Sequence, residues 1–223
     1  MARVLSKGGV CALLVFLALA QGAAHGFYDG DDKWTTVLSA GFSSPLLSSQ
    51  LESYSQEDDL DAYGVGIHFE YHGVYNPNKF CLVAKGGAAV VQPSCDGTYE
   101  DYEGSAIYFM GGLGREFKLG PLSLTPALGL GFEYLDMEAE YHLAGYTVED
   151  SLEVGMVCLC ADLQLALMFS PSFGLSASCL VMLPFFGDGE AESHTRGYSD
   201  KEDIDTQFTK LNIIPAVCLV WRI

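Results

Sequence analysis

The chain has 223 residues, 49% of them apolar, yet it carries 29 acids against 11 bases, a formal charge of -18 with pI ≈ 4.3. That balance argues against nucleic acid as a partner, because a phosphate backbone needs a basic surface, and against docking on anionic lipid through a polybasic patch. Apolar residues and acids must therefore be segregated along the chain.

The N-terminus holds part of the apolar content. Arg3 and Lys7 form a short positive region, Val10–Ala20 is an apolar run, and Ala18, Ala20, Gly22, Ala23 and Ala24 supply small residues after it. This order predicts a Sec signal peptide over residues 1–24, cleaved between Ala20 and Gly26, with a barrel over residues 25–223. The apolar run of about 11 residues is too short for a spanning helix, which needs about 20. No later apolar run approaches that length. An exported chain without a spanning helix still enters a membrane if it closes as a barrel.

Eight segments then alternate with period two, the strand signature. In chain order they are Trp34–Ser43, Ala62–His72, Phe80–Val91, Ser105–Phe117, Leu122–Tyr134, Leu152–Phe169, Phe173–Phe185 and Gln207–Ile223. In each, one face is large and apolar and the other is small or polar. In the second, for example, Tyr63, Val65, Ile67, Phe69 and Tyr71 oppose Gly64, Gly66, His68, Glu70 and His72. A soluble sandwich also alternates, so the connections help to choose. They run roughly 18, 7, 13, 4, 17, 3 and 21 residues, long and short in turn, the pattern of a transmembrane barrel with long outer loops and short periplasmic turns. The four long connections hold 21 of the 29 acids; the short turns hold Lys79 and Lys118 and no acid.

Aromatics give an independent mark. Trp34, Tyr71, Phe80, Phe117, Phe169, Phe173 and Trp221 fall at the turn-side ends of the apolar faces, and Phe42 and Tyr63, with Tyr134 and Phe185, near the opposite ends. Two such rows are the expected girdles at the membrane interfaces. Together these patterns predict an all-β fold, an eight-stranded antiparallel transmembrane barrel with both termini periplasmic and the long loops extracellular. A secreted lipocalin-like barrel is the soluble alternative.

The polar faces would point into the lumen. They carry His68, Glu70, His72, Lys85, Glu116, Glu133, Asp162, Gln164, Lys210 and Arg222. His68, Glu70 and His72 share a face at steps of about 6.6 Å, so they hold a metal only with a ligand from another strand. A polar network lining the lumen is the simpler reading, and buried charges of both signs need pairing. Lys85, across a short turn from Glu70, suits a diagonal ion pair. Six cysteines follow the signal segment, five of them inside strands. Cys158 and Cys160 stand on one face about 6.6 Å apart, too far to bridge comfortably, so the cysteines read as small buried apolar groups. In the loops His142, Asp188, Ser193 and His194 match no catalytic spacing, and Glu57-Asp58-Asp59 and Glu202-Asp203 lack calcium-loop spacing. The expectation is no enzyme and no cofactor or metal. An eight-stranded barrel is filled by its own side chains, which rules out a wide pore.

The segment Trp34–Gly41, the stretch PALGLGFEY (Pro126–Tyr134) and the ending with Pro215 and Trp221-Arg222-Ile223 resemble the OmpW-like family of small eight-stranded outer-membrane barrels. The chain departs from that pattern at Ile223, where such barrels usually end in Phe. The resemblance implies passage of small hydrophobic solutes across an outer membrane. The alternative function is that of a surface-exposed adhesin or structural protein acting through its acidic loops. Expected partners are outer-membrane lipid, the barrel assembly machinery, and small hydrophobic solutes or surface ligands.

Overall fold

A computed structural model describes residues 33–46, 61–94, 101–143, 146–195, 198–205 and 211–223. The signal segment, Cys95 and Lys210 lie outside the described residues. The strands are β1 (Trp34–Ser43), β2 (Asp61–Tyr75), β3 (Phe80–Ser94), β4 (Asp101–Arg115), β5 (Phe117–Leu119), β6 (Leu122–Leu143), β7 (Tyr146–Met168), β8 (Phe173–Thr195), β9 (Tyr198–Asp205) and β10 (Asn212–Arg222). All pairings are antiparallel, and they make eight staves. β5 continues β4 in the same register on β6, with Gly114 opposite Ala127 and Phe117 opposite Leu124. β10 closes the barrel, pairing with β1 on one side and β8 on the other. β9 pairs with the outer part of β8. Among the described residues, closure pairs each stave with a neighbour on both sides, which is what permits strands to span a bilayer.

Alternation decides which face points where. Val65, Ile67, Leu113, Leu128, Leu130, Leu163 and Val217 stand on the outer surface, Leu128 at 70% exposure. The inner face is buried and carries Glu70, Lys85, Glu116, Glu133 and Asp162. A soluble lipocalin-like barrel would need the opposite arrangement, because its outer surface meets water.

Two expected features change. The connections expected at Leu135–Ser151 and Gly187–Thr206 are largely strand: β6 and β7 stay paired from Leu122–Leu167 out to Leu143–Tyr146, and β8 and β9 pair from Asp188–Asp205 to Thr195–Tyr198. Acids on these segments break the apolar alternation, but antiparallel pairing satisfies the backbone in water as well as in lipid. The seventh strand also runs past Phe185. Val157 pairs with Phe186 and Cys158 with Pro184, so Phe185 is the extra residue of a β-bulge. The bulge shifts the alternation by one, and both Phe185 (56%) and Phe186 (66%) face outward.

The turns on the other side are short. Asn76–Lys79 link β2 to β3, with Lys79 at φ 60°, and Gly120-Pro121 link β5 to β6, with Gly120 at φ 67°. The left-handed conformation costs glycine nothing, and no atom lies within 4 Å of where a Gly120 Cβ would stand.

Aromatics mark this end. Phe169 and Phe173 lie 6.5 Å apart between ring centroids, Phe173 and Trp221 5.9 Å, and Trp34 and Tyr75 5.0 Å. Phe80 and Phe117 are exposed beside them, and Arg115 sits over the Phe117 ring at 5.6 Å. Phe42 is exposed near the opposite end. Tyr71 differs from its expected girdle role: it is only 6% exposed and folds over Gly73. The Tyr63 side chain lies outside the described residues.

Candidate functional site

The lumen is the place where polar side chains converge. On β2, His68, Glu70 and His72 point inward because the apolar residues between them point out, and all three are buried. β3 places Lys85 directly opposite Glu70 in the ladder, so the pair is a facing one and not diagonal. Lys85 Nζ lies 2.6 Å from Glu70 Oε1 and 2.9 Å from Asp162 Oδ2 on β7. Both carboxylates and the ammonium have no solvent exposure.

Glu70 is the hub of this cluster. Ser178 on β8 donates to its Oε1 at 2.7 Å, Gln164 on β7 donates to its Oε2, and His68 Nε2 lies 3.0 Å from Oε1. His68 Nδ1 lies 2.7 Å from the Tyr108 hydroxyl, which donates to Ser43 Oγ at 2.8 Å. Tyr108 has its place because Gly87 opposes it: a Cβ on Gly87 would stand 2.4 Å from the Tyr108 hydroxyl oxygen. Side chains from β1, β2, β3, β4, β7 and β8 thus meet across the barrel in one connected network. Buried charge is tolerable only with such pairing.

The other predicted lumen residues group separately. Glu133 accepts from Asn212 beside Met156 and Met182. Glu116 accepts from Arg222 at the short-turn end of the barrel, with Lys118 Nζ 3.6 Å away. His72 does not join His68 and Glu70. It lines a cavity of about 10 Å³, on the order of one water, together with Glu116, Thr125, Gln164 and Arg222. Its Nε2 has no hydrogen-bond partner there.

Sequence reasoning left out Tyr108, Ser43, Ser178, Asn212 and Cys218. Alternation places each on the inner face, but strand height and register decide whom they meet. Cys218 is the most informative. Its sulfur and the ligand atoms of His68 and Glu70 lie mutually within 4.8 Å, the one such trio among the described residues. The residues of the loop expectation, His142, Asp188, Ser193 and His194, have side chains outside the described set.

A closed antiparallel barrel, apolar outside and ion-paired inside, defines the class of small outer-membrane β-barrels. No protein-family model matches the chain and no curated protein matches it in sequence. Among solved structures it is similar to a major outer membrane protein from Thermus thermophilus, with TM-score 0.58 and 11% identity over 86% of this chain and 98% of that one. It is likewise similar to the outer membrane protein OprG from Pseudomonas aeruginosa, with TM-score 0.56 and 10% identity over 85% of this chain and 95% of that one. At these identities the likeness is one of fold. The OmpW-like resemblance accordingly holds in architecture: eight staves, antiparallel and closed, with no helix among the described residues.

Proposed function

We propose that the chain resides in an outer membrane as a closed barrel and acts at its acidic outer rim, as a surface-exposed binding or structural protein. The observation that carries this reading is the cross-lumen network of Glu70, Lys85, Asp162, Gln164, Ser178 and His68, which ties β2, β3, β7 and β8 together across the path a solute would take. The outer hairpins support it. β6, β7, β8 and β9 hold Glu138, Glu149, Asp150, Asp188, Glu190, Asp200, Glu202 and Asp203 on paired strands beyond the apolar wall. In this reading lipid surrounds the wall, the assembly machinery folds it, the chain is not an enzyme, and the surface ligand bears positive charge. Refolded protein in planar bilayers is expected to show no conductance steps. Vesicles carrying it are expected to bind a cationic surface, and to lose that binding when residues 139–150 are replaced by a tight turn. Conductance steps, or binding unchanged by the replacement, would sink this reading.

One feature favours passage of small hydrophobic solutes instead. Met110, Met156 and Met182 stand together on the inner wall with Leu180 and Ile214, and methionine repacks readily around apolar guests. Uptake of an apolar dye into vesicles by the wild-type barrel, without ion conductance, would favour this second reading.

A further inference from the structure

We propose that His68, Glu70 and Cys218 form a structural site for a divalent metal of the zinc class, clamping β2 to β10 inside the barrel. The donor set is an imidazole nitrogen, a carboxylate oxygen and a thiolate sulfur, the ligands zinc takes in proteins. All three residues are fully or almost fully buried, and their ligand atoms lie mutually within 4.8 Å. Tetrahedral zinc with bonds of about 2.0–2.3 Å needs ligand separations of roughly 3.2–3.7 Å. His68 Nε2 and Glu70 Oε1 are already 3.0 Å apart, so the remaining adjustment is a small swing of the cysteine side chain.

The fold brings the ligands together through a missing side chain. β1 runs between β2 and β10, and its Gly41 pairs with His68 on one side and Cys218 on the other. A Cβ at Gly41 would stand 2.0 Å from the Val217 carbonyl oxygen and 2.6 Å from the Cys218 Cα. Glycine therefore lets the two outer strands' side chains meet across it.

The surroundings fit a metal as well. His68 Nδ1 faces the Tyr108 hydroxyl at 2.7 Å, which leaves Nε2 as the ligand atom and fixes the ring, the usual support for a metal-bound histidine. Ser178 donates to Glu70 Oε1 at 2.7 Å and so helps to orient that carboxylate. Lys85 Nζ lies 2.6 Å from Glu70 Oε1, so metal binding at that oxygen shifts the ammonium toward Asp162, which already holds it at 2.9 Å. The formal charges then balance: Glu70, Asp162 and the Cys218 thiolate against Lys85 and a divalent cation. Binding releases the thiol proton to solvent.

The three ligands are buried in the folded barrel, so the metal is supplied during folding, and the test is refolding with cobalt(II) as the probe. The full chain, refolded in detergent with cobalt and then dialysed, is expected to retain one cobalt with a thiolate-to-cobalt charge-transfer band. Cys218→Ser is expected to lose the band, and Cys158→Ser, in the same lumen, to keep it. Tyr108→Phe should weaken retention about 10–100-fold without changing the stoichiometry. Should Cys218→Ser fail to fold, His68→Gln carries the same expectation. No cobalt retained by the wild type, or a band surviving in Cys218→Ser, overturns the proposal.

Discussion

Lys85 is a single positive charge between two buried carboxylates, 2.6 Å from Glu70 and 2.9 Å from Asp162. Removing one partner of such a group leaves the others charged in a dry interior, at a cost of about 3–5 kcal/mol. Lys85→Met is therefore expected to lower the barrel's unfolding free energy by that amount in urea titrations in lipid. The triple variant with Glu70→Gln and Asp162→Asn should recover most of it, because no charge is left unpaired. A single variant within about 1 kcal/mol of wild type would mean that water reaches the cluster and screens it. Glu70 is also the residue whose role changed most between sequence and structure. On the strand it is one acid between two histidines. In the barrel it accepts from Gln164 and Ser178, on strands 94 and 108 residues further along the chain.

The hairpins carry like-charge repulsion where they leave the apolar wall. Asp136 on β6 faces Glu153 on β7 directly across the ladder, and Glu138 follows on the same face. Burial first, and then Glu153 and Glu138, raise the Asp136 carboxyl above the usual carboxylate range. The folded value is above the unfolded one, so this contribution to stability is present at low pH and is lost as pH rises through the raised value. Asp136→Asn is expected to remove that dependence and to stabilise the barrel at neutral pH by up to about 1 kcal/mol, the scale of a cross-strand like-charge pair. Unfolding midpoints of wild type and variant across pH check it; a constant difference at every pH would refute the assignment. The bulge at Phe185 is a different kind of element-level feature. One inserted residue turns two consecutive phenylalanines outward, which no alternation rule anticipates.

For the molecule as a whole, segregation of charge is the dominant fact. The formal charge is -18, and 21 of 29 acids fall in segments that begin at or beyond one end of the apolar wall. A surface of that kind attracts cationic partners at long range, and salt screens the attraction over a Debye length of about 10 Å at 0.1 M. Binding of reconstituted barrel to a cationic surface is thus expected to fall steeply between low and physiological ionic strength. Binding indifferent to salt would place recognition on apolar contacts and count against the rim. The closed lumen and the charged rim make separate claims: conductance tests the first, salt dependence the second.

The wall itself was legible in the sequence. Alternation is a local property, since successive strand residues point to opposite faces, and it set β1 at Trp34–Ser43, the inward face of β2, and the inward direction of Lys85, Asp162 and Gln164. The outer parts of β6, β7, β8 and β9 were not legible, because pairing above the membrane rests on backbone hydrogen bonds and leaves no apolar period to read. The network was legible only as a set of inward residues. Which of them touch depends on register, on closure of β10 against β1 and β8, and on the gap at Gly41 that admits Cys218 beside His68. The sequence by itself thus determined that the chain makes an inverted barrel, apolar outside and polar within, because each residue's face follows from its immediate neighbours. Only the tertiary structure decided that His72 leaves the cluster and Cys218, Tyr108 and Ser178 enter it, because those contacts join strands whose relative height no local pattern encodes.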